Sequence, residues 1–264
     1  KSKAMKSTLF LICAFLVSIR LSTSFSPGKT DVIGRSLVLR GWLDNFLPKV
    51  DASDSARRLE FPEQYPATYE LNTVEVASDM EDMKLVRQVL KQTQLESRQL
   101  QLAFDSAKHG WSPTRFHKMV DGKGAALVLA TGKDGSIFGG YNPKGWASLG
   151  GARPSVAAFL FYVKSDGSFQ KLQKVGGGGL ACARDDPTYG IAFGPDGLVM
   201  ALQPGRERVA SSKLGPYFER GPQELRSLFQ PGAIEMGSLK VFVGKYAAGE
   251  DIPYSEAVMD MTSG

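Results

Sequence analysis

The chain has 264 residues, of which 32 are Lys or Arg and 27 are Asp or Glu, so its formal net charge is +5. Four of the basic residues and no acidic residue fall within positions 1–24, so the rest of the chain carries only +1 (5 − 4), which gives no support to a nucleic-acid footprint of clustered Lys and Arg. Cys182 is the single cysteine beyond position 24, and this excludes a small domain held together by internal disulfides.

Residues 1–24 are predicted to be a secretory signal peptide. A basic n-region beginning at Met5, an apolar h-region over 9–17 and small residues before a cut at Phe25 have the layout of such a signal. The alternative is a membrane anchor. The apolar run is shorter than the ~20 residues that a span needs, and Arg20 interrupts it, so we expect no transmembrane helix in the mature chain.

Residues 25–75 are predicted to be a transit-like segment followed by an extended linker. The triplet Phe25-Ser26-Pro27 resembles the aromatic-led start of bipartite plastid presequences, in which a transit-like segment follows the signal peptide in algae with secondary plastids. The expected location is therefore the complex plastid of an alga, with secretion or an endomembrane compartment as the alternative. Within this segment Trp42 and Phe46 belong either to a short helix that packs on the domain or to an anchor for a protein partner.

A helix is predicted over residues 79–92. Ser78 and Glu81 have the spacing of a capping box, in which each side chain bonds the backbone N–H of the other residue. Met83, Val86 and Leu90 follow at helical spacing, and such an apolar stripe indicates packing against a core.

Residues 100–146 predict a strand, a short helix and a hairpin in succession. Leu100, Leu102 and Phe104 alternate with their neighbours at the period of a half-buried strand. Ser112 is a suitable N-cap, with proline at the next position, for a helix of about two turns. An apolar run, a Gly-Lys-Asp-Gly turn and a second run then predict an antiparallel hairpin over 125–141.

From residue 156 onward the sequence predicts strands. The continuous apolar run at 156–163 is typical of a strand that is buried on both faces. Shorter runs at 169–175, 198–202 and 239–243 are separated by glycine-containing turns. The predicted fold class is therefore mainly β (α+β), as a two-sheet antiparallel β-sandwich flanked by a few short helices.

The ordered series of motifs between about residues 99 and 246 resembles the TLDc domain family. That family's pattern is a strand, then HG-x-S-x-x-x-FH, then D-x-x-G before an apolar strand, then G-x-x-FGGY in a hairpin, and a Trp. The matching positions are His109, Gly110, Ser112, Phe116, His117, Asp121, Gly124, Gly135, Phe138, Gly139, Gly140, Tyr141 and Trp146. The resemblance implies a TLDc-like domain over 76–264, with antiparallel sheets and helices at their sides.

The resemblance also implies a role. TLDc proteins are associated with resistance to oxidative stress, and several bind the vacuolar-type proton ATPase. We therefore expect one or more protein partners, for which a plastid membrane complex is one candidate, and no nucleic acid. Binding to the proton ATPase is the alternative that an endomembrane location would favour. Trp42, Phe46 and Trp111 are the candidate partner contacts.

The chemistry-bearing residues are few. His117 and Asp121 are four apart, so they share a helix face, and a His–Asp pair can act as a general base. The nucleophile would have to be Cys182, whose thiolate Arg184 would favour and the two following aspartates would oppose. The alternative for His117 is a structural residue that caps or packs within the domain.

Two further features could suggest ligands. Two histidines lack the clustered ligand set of a dedicated metal site, and the glycine run 176–179 lacks the Lys-Ser/Thr of a phosphate-binding loop. We therefore predict no catalytic, cofactor-binding or metal residues and no cofactor. The expected function is a non-catalytic interaction module that protects against oxidative stress, and the alternative is a peroxide-detoxifying enzyme that uses Cys182.

Overall fold

The computed structural model of the chain describes residues 56–58, 60–175 and 182–255. All of them belong to the unit Val50–Gly264. The predicted signal peptide and most of the transit-like segment, with Trp42 and Phe46, lie outside the described residues, as does the glycine run at 176–179.

An N-terminal strap and a short helix form a layer on one face of the domain. The strap, residues 61–74, begins with a 3-10 turn at Pro62–Gln64 and is otherwise irregular. Helix α1 spans Glu81–Arg87 and continues as a 3-10 turn over Gln88–Leu90. The predicted helix over 79–92 is therefore present but shorter at both ends.

The predicted capping box is wrong. Met80, and not Ser78, is the N-cap residue of α1, and its side chain makes no capping hydrogen bond. Asp79 instead forms a buried bidentate ion pair in which its two carboxylate oxygens accept from Nε and Nη2 of Arg87, both at 2.7 Å. Because this pair holds Asp79 outside the helix, the helix begins at Glu81.

Two more helices follow the first strand. Helix α2 spans Ser106–His109 and helix α3 spans Pro113–Val120, with Ser112 at the N-cap of α3 and Pro113 in its first turn, as predicted. None of the described helices is long and apolar enough to cross a membrane.

The described part of the chain contains eleven strands. They are β1 (Leu100–Asp105), β2 (Ala126–Gly132), β3 (Ile137–Asn142), β4 (Ala152–Pro154), β5 (Phe159–Val163), β6 (Phe169–Gln173), β7 (Cys182–Arg184), β8 (Ile191–Phe193), β9 (Leu198–Met200), β10 (Val209–Ser211) and β11 (Ala233–Gly244). Most of the predicted strands are found, although the run at 156–163 begins its strand at Phe159.

The strands form two antiparallel sheets that share β11. Sheet A has the order β1-β11-β2-β3-β5-β6, and sheet B has the order β4-β7-β8-β9-β10-β11. The first residues of β11, Ala233–Glu235, pair with β10, and the segment from Met236 to Val243 pairs with β2. A register shift between Met236 and Ser238 marks the place where the strand passes from one sheet to the other.

The main core lies between the two sheets. Val128 and Leu160 of sheet A share one buried cluster with Phe193 and Met200 of sheet B, which confirms the predicted sandwich. The opposite face of sheet A packs against the helical layer in a second cluster, to which β5 contributes Phe159. Strand β5 is thus buried on both faces, as its apolar sequence predicts.

Strand β1 differs from its predicted alternation. Leu100 packs in the cluster under α1, whereas Phe104 is buried in the core between the sheets. The register with β11 shifts between Leu102 and Phe104, so Ala103 is an extra residue in the ladder. This β-bulge moves Phe104 to the opposite face of the sheet from Leu100.

Candidate functional site

The turn between α2 and α3 positions His109 and Trp111. Asp105 caps α2, because its Oδ1 accepts from the Ala107 backbone N–H at 2.9 Å. Nδ1 of His109 accepts from the Asp105 backbone N–H at 3.0 Å, and Nη1 of Arg115 donates to the His109 carbonyl at 3.0 Å. His109 therefore closes this turn, which exposes part of Trp111 on the surface.

A polar cluster surrounds His117, which projects inward from α3 and is 4% exposed. Its Nδ1 lies 2.8 Å from Oδ1 of Asp121, one helical turn further along. Its Nε2 lies 2.9 Å from the carbonyl oxygen of Tyr189. The hydroxyl of Ser148 is 3.1 Å from Nδ1 and donates to the other carboxylate oxygen of Asp121.

Asp185 is the second carboxylate of this cluster and is fully buried. Its Oδ1 accepts from the backbone N–H groups of Ala147 and Ser148, both at 2.9 Å, and its Oδ2 accepts from that of Leu149 at 3.1 Å. Ser148 has a φ of +56°, in the left-handed region that a residue with a side chain adopts at a cost. Three charge-assisted hydrogen bonds to one carboxylate offset that cost.

The electrostatics of the cluster favour a protonated imidazole. Burial lowers the pKa of His117, but the hydrogen bond and charge of Asp121, the Tyr189 carbonyl and the charge of Asp185 outweigh burial and raise the pKa above its ordinary value of 6.5. In the protonated state both ring nitrogens are donors. One then donates to the Asp121 carboxylate and the other to the Tyr189 carbonyl.

The cluster contains the residue types of a catalytic triad, but they are not hydrogen-bonded to one another as in a triad. In a triad the serine contacts one ring nitrogen and the carboxylate contacts the other. Here Ser148 and Asp121 both contact Nδ1 of His117, and a backbone carbonyl occupies Nε2. The hydroxyl donates to Asp121 and shares Nδ1 with that carboxylate, so the three residues are not connected in the order of a triad.

The same groups are the candidate ligands for a metal ion. His117, Asp121 and Asp185 each offer one ligand atom, and these atoms lie within 4.8 Å of one another. Each of the three residues also has hydrogen-bond partners within the domain, and a metal ion would have to displace the protons that these groups share. As they stand, the contacts form an internal hydrogen-bonded network that ties α3 to the loops at 146–149 and 185–189.

The aromatic motif positions belong to the core beside this network. Phe116 contacts Phe104 and Trp146 in edge-to-face geometry, with ring centroids 5.7 and 5.2 Å apart. The indole Nε1 of Trp146 donates to the Arg184 carbonyl at 3.0 Å. Phe138 is also buried and packs edge-to-face on Phe229.

Glycine at the motif positions 139 and 140 allows close approach of the backbone to its neighbours. A Cβ atom at Gly139 would lie 1.9 Å from the carbonyl oxygen of Val128 in β2, and one at Gly140 would lie 2.7 Å from the Phe193 ring of sheet B. Gly110 and Gly124 have φ values of +73° and +72°. These glycines therefore have structural roles, either close packing of the backbone or a positive φ.

Trp111 is the one predicted partner contact that lies within the described residues. It packs against the main core on one side, and the guanidinium of Arg208 lies over its ring, 5.2 Å from the centroid. Cys182 is in β7, but its side chain is outside the described part of the chain, so its role as a nucleophile stays a prediction.

Sequence reasoning missed Ser148, Tyr189 and the structural role of Asp185. Ser148 and Tyr189 are 31 and 72 residues from His117 in the sequence, and they reach it only through the pairing of the sheets. The sequence feature that could have indicated the role of Asp185 is the pair of acidic residues that it begins, directly after a short strand.

Comparison with known proteins gives one finding. A family model described as TLDc domain matches residues 75–221, which is more than half of the chain. The search of curated proteins returned no match.

Proposed function

The chain belongs to the TLDc domain family, and from this premise we propose that it is a non-catalytic protein-interaction module that protects against oxidative stress in a plastid. The protective role follows what the family resemblance implies. The plastid location rests on the presequence-like residues that begin at Phe25.

One observation carries the non-catalytic part of the proposal. Both ring nitrogens of His117 are engaged by internal partners, Asp121 with Ser148 on one side and Tyr189 on the other. In a triad the histidine contacts the nucleophile through one nitrogen and its orienting carboxylate through the other, whereas here the Ser148 hydroxyl donates to Asp121 itself. The network therefore supports a structural role for His117, the motif residue best suited to acid–base chemistry.

The rival function is a peroxide-detoxifying enzyme that uses Cys182. A cell line that lacks this protein should be complemented by the wild-type chain and by Cys182→Ser to the same degree in a peroxide survival assay. We expect purified protein to consume peroxide no faster than a free thiol. Cys182-dependent peroxide consumption far above that rate, together with failed complementation by Cys182→Ser, would overturn the non-catalytic proposal.

The location is tested separately. A fluorescent fusion of residues 1–60 should reach the plastid, and Phe25→Lys should divert it to the secretory route. Ser26→Ala is the matched control, since it leaves the aromatic residue in place. If Phe25→Lys leaves the fusion where it was, the plastid proposal is wrong, and an endomembrane location would favour binding to the proton ATPase instead.

A further inference from the structure

We propose that residues 252–255 cover a cationic site for an acidic, tyrosine-bearing segment of a protein partner, and that partner and cover compete for this site. The cover, as these four residues are called here, follows β11 and lies against the loops at 122–124 and 142–155. This inference rests on the proposed function as an interaction module, and it names the surface and the chemistry of the partner.

Tyr254 makes the central contacts of the cover. Nη2 of Arg153 donates to the Tyr254 carbonyl at 2.7 Å, and Nζ of Lys144 lies 5.3 Å from the centroid of the Tyr254 ring. Arg153 and Lys144 are only 8% and 5% exposed. Because charged side chains are rarely buried without partners, the site is suited to a segment that supplies an acceptor and an aromatic face together.

Glycine in the loop between α3 and β2 makes room for the cover. A Cβ atom at Gly124 would lie 3.0 Å from Cγ2 of Ile252 and 3.2 Å from the Pro253 carbonyl oxygen. At Gly122 a Cβ atom would lie 3.6 Å from the Ser255 carbonyl oxygen. A backbone surface of this kind is formed in advance, so little conformational freedom is lost when a segment binds to it.

The cover itself is held less firmly than the core. None of its four side chains is fully buried, since Pro253 is exposed and the other three are partly exposed. Tyr254 has a φ of +59°, in the left-handed region that a residue with a side chain adopts at a cost. Segments that bury few apolar groups open at a small free energy, so a partner can replace the cover without unfolding the domain.

The charge of the site selects an acidic occupant. The loops at 122–124 and 142–155 contain three basic residues and no acidic residue, and the preceding Asp121 is engaged by His117 and Ser148. By contrast, residues 250–264 contain four acidic residues and no Lys or Arg. Opposite charges of this kind steer association and fix which segments are accepted. A partner segment with acids around a tyrosine has the same chemistry as the cover and its neighbours.

The test measures binding of a fluorescein-labelled peptide with the sequence of residues 250–264 to the purified protein by fluorescence anisotropy. The cover occupies the site in the wild type. Tyr254→Ala in the protein removes the ring that Lys144 contacts, so this variant should bind the peptide about fivefold or more tightly than the wild type does. A peptide with alanine in place of its tyrosine, and one with amides in place of its acids, should bind this variant more weakly.

Substitutions in the site separate its cations from other surface charges. Lys144→Met or Arg153→Met, each combined with Tyr254→Ala, should weaken peptide binding about tenfold or more, a change of about 1.4 kcal/mol or more. Lys108→Met with Tyr254→Ala is the matched control, because it removes an exposed charge of α2 and should leave the affinity unchanged. Tyr69→Ala removes an exposed tyrosine of the strap and should bind the peptide like the wild type.

A chain that ends at residue 249 uncovers the site in a second way, and it should bind the peptide at least as tightly as Tyr254→Ala does. A thermal melt of each variant confirms that it is folded. Both uncovered chains keep the cations and glycines of the site, so they test the same surface.

Three outcomes would overturn the inference. They are no binding of the peptide to either uncovered chain, equal binding by the wild type and Tyr254→Ala, and binding that Lys144→Met and Arg153→Met leave unchanged. Each of these leaves the proposed function standing, because that function fails on Cys182-dependent peroxide turnover. Conversely, peptide binding with the expected variant pattern would persist even if the protein proved to be an enzyme.

Discussion

His117 joins three segments that are far apart in the chain. The imidazole belongs to α3, the hydroxyl of Ser148 to the loop before β4, and the carbonyl of Tyr189 to the loop before β8. Removing one partner of a buried charged hydrogen bond costs about 1.5–3 kcal/mol. The network therefore contributes a noticeable share of a typical domain stability of about 5–15 kcal/mol.

The network predicts a pH dependence of stability. The pKa of His117 is raised above 6.5 in the folded protein, so the folded state holds this proton more tightly than the unfolded state. Its contribution to the free energy of unfolding is then fully present below about pH 6.5 and is lost as the pH rises through the folded pKa. Urea unfolding across this window should show the loss in the wild type.

His117→Gln should remove this pH dependence and lower the free energy of unfolding at mildly acidic pH by about 1.5–3 kcal/mol. His109→Gln is the matched control, since it changes the other histidine of the chain and leaves the network intact. A pH dependence that survives in His117→Gln would show that another group is responsible.

The pair at the centre of this network could be predicted from the sequence, and the rest could not. His117 and Asp121 meet because a helix brings residues four apart together. Ser148 and Asp185 meet His117 through the tertiary fold, and Ser148 does so with a φ of +56° that its sequence does not signal. Local periodicity contains no information of that kind.

Strands β2 and β3 lie too close together at Gly139 to accommodate a side chain there. Gly139 pairs with Leu129 of β2, and a Cβ atom on Gly139 would lie 1.9 Å from the Val128 carbonyl oxygen. Gly139→Ala must therefore push the two strands apart in the middle of sheet A. We expect it to lower the free energy of unfolding by at least the ~1–3 kcal/mol that overpacking costs, as measured by urea unfolding.

Gly237→Ala in β11 is the matched control. The nearest atom to a Cβ atom at that position is 3.6 Å away, which is ordinary van der Waals contact. The substitution should change stability by less than about 1 kcal/mol. Equal effects of the two substitutions would mean that the close approach at Gly139 is unimportant for stability.

The kinds of element could be predicted better than their details. Apolar runs and turns predicted the two sheets, because strands buried on one or both faces have distinctive periods. The bulge at Ala103 and the pair between Asp79 and Arg87 depend on partners across the sheet or along the loop. The bulge interrupts the alternation predicted for β1, and the ion pair replaces the predicted N-cap of α1.

The strap connects the N-terminal part of the described chain to the edge of sheet A. Lys171 in β6 is 2% exposed, and its Nζ donates to the carbonyls of Thr68 and Glu70 at 2.9 and 3.1 Å. Gln173 donates to the Ala67 carbonyl at 2.6 Å, and Ala67 is part of the cluster under α1. The family match begins at residue 75, just after these contacts.

Burial under the strap lowers the pKa of Lys171 to about 8, from an ordinary value of 10.5. The unfolded chain then binds more protons than the folded chain between these two values. The free energy of unfolding should therefore rise with pH from about 8 upward, by as much as about 1.4 kcal/mol per pH unit. A chain that begins at residue 75 lacks the strap, so its Lys171 returns to water and this rise should disappear.

The test measures the free energy of unfolding in urea for chains 50–264 and 75–264 between about pH 8 and about pH 9.5, and compares its pH dependence with and without the strap. The shorter chain should also be less stable throughout, by about 2 kcal/mol or more, because it loses the packing of Ala67 and Leu71 together with several hydrogen bonds. Lys171→Met in the longer chain is the control, and it should abolish the rise while the strap is still present. Equal stability and equal pH dependence of the two chains would show that the strap is not part of the folded unit, and that the fold is complete from residue 75.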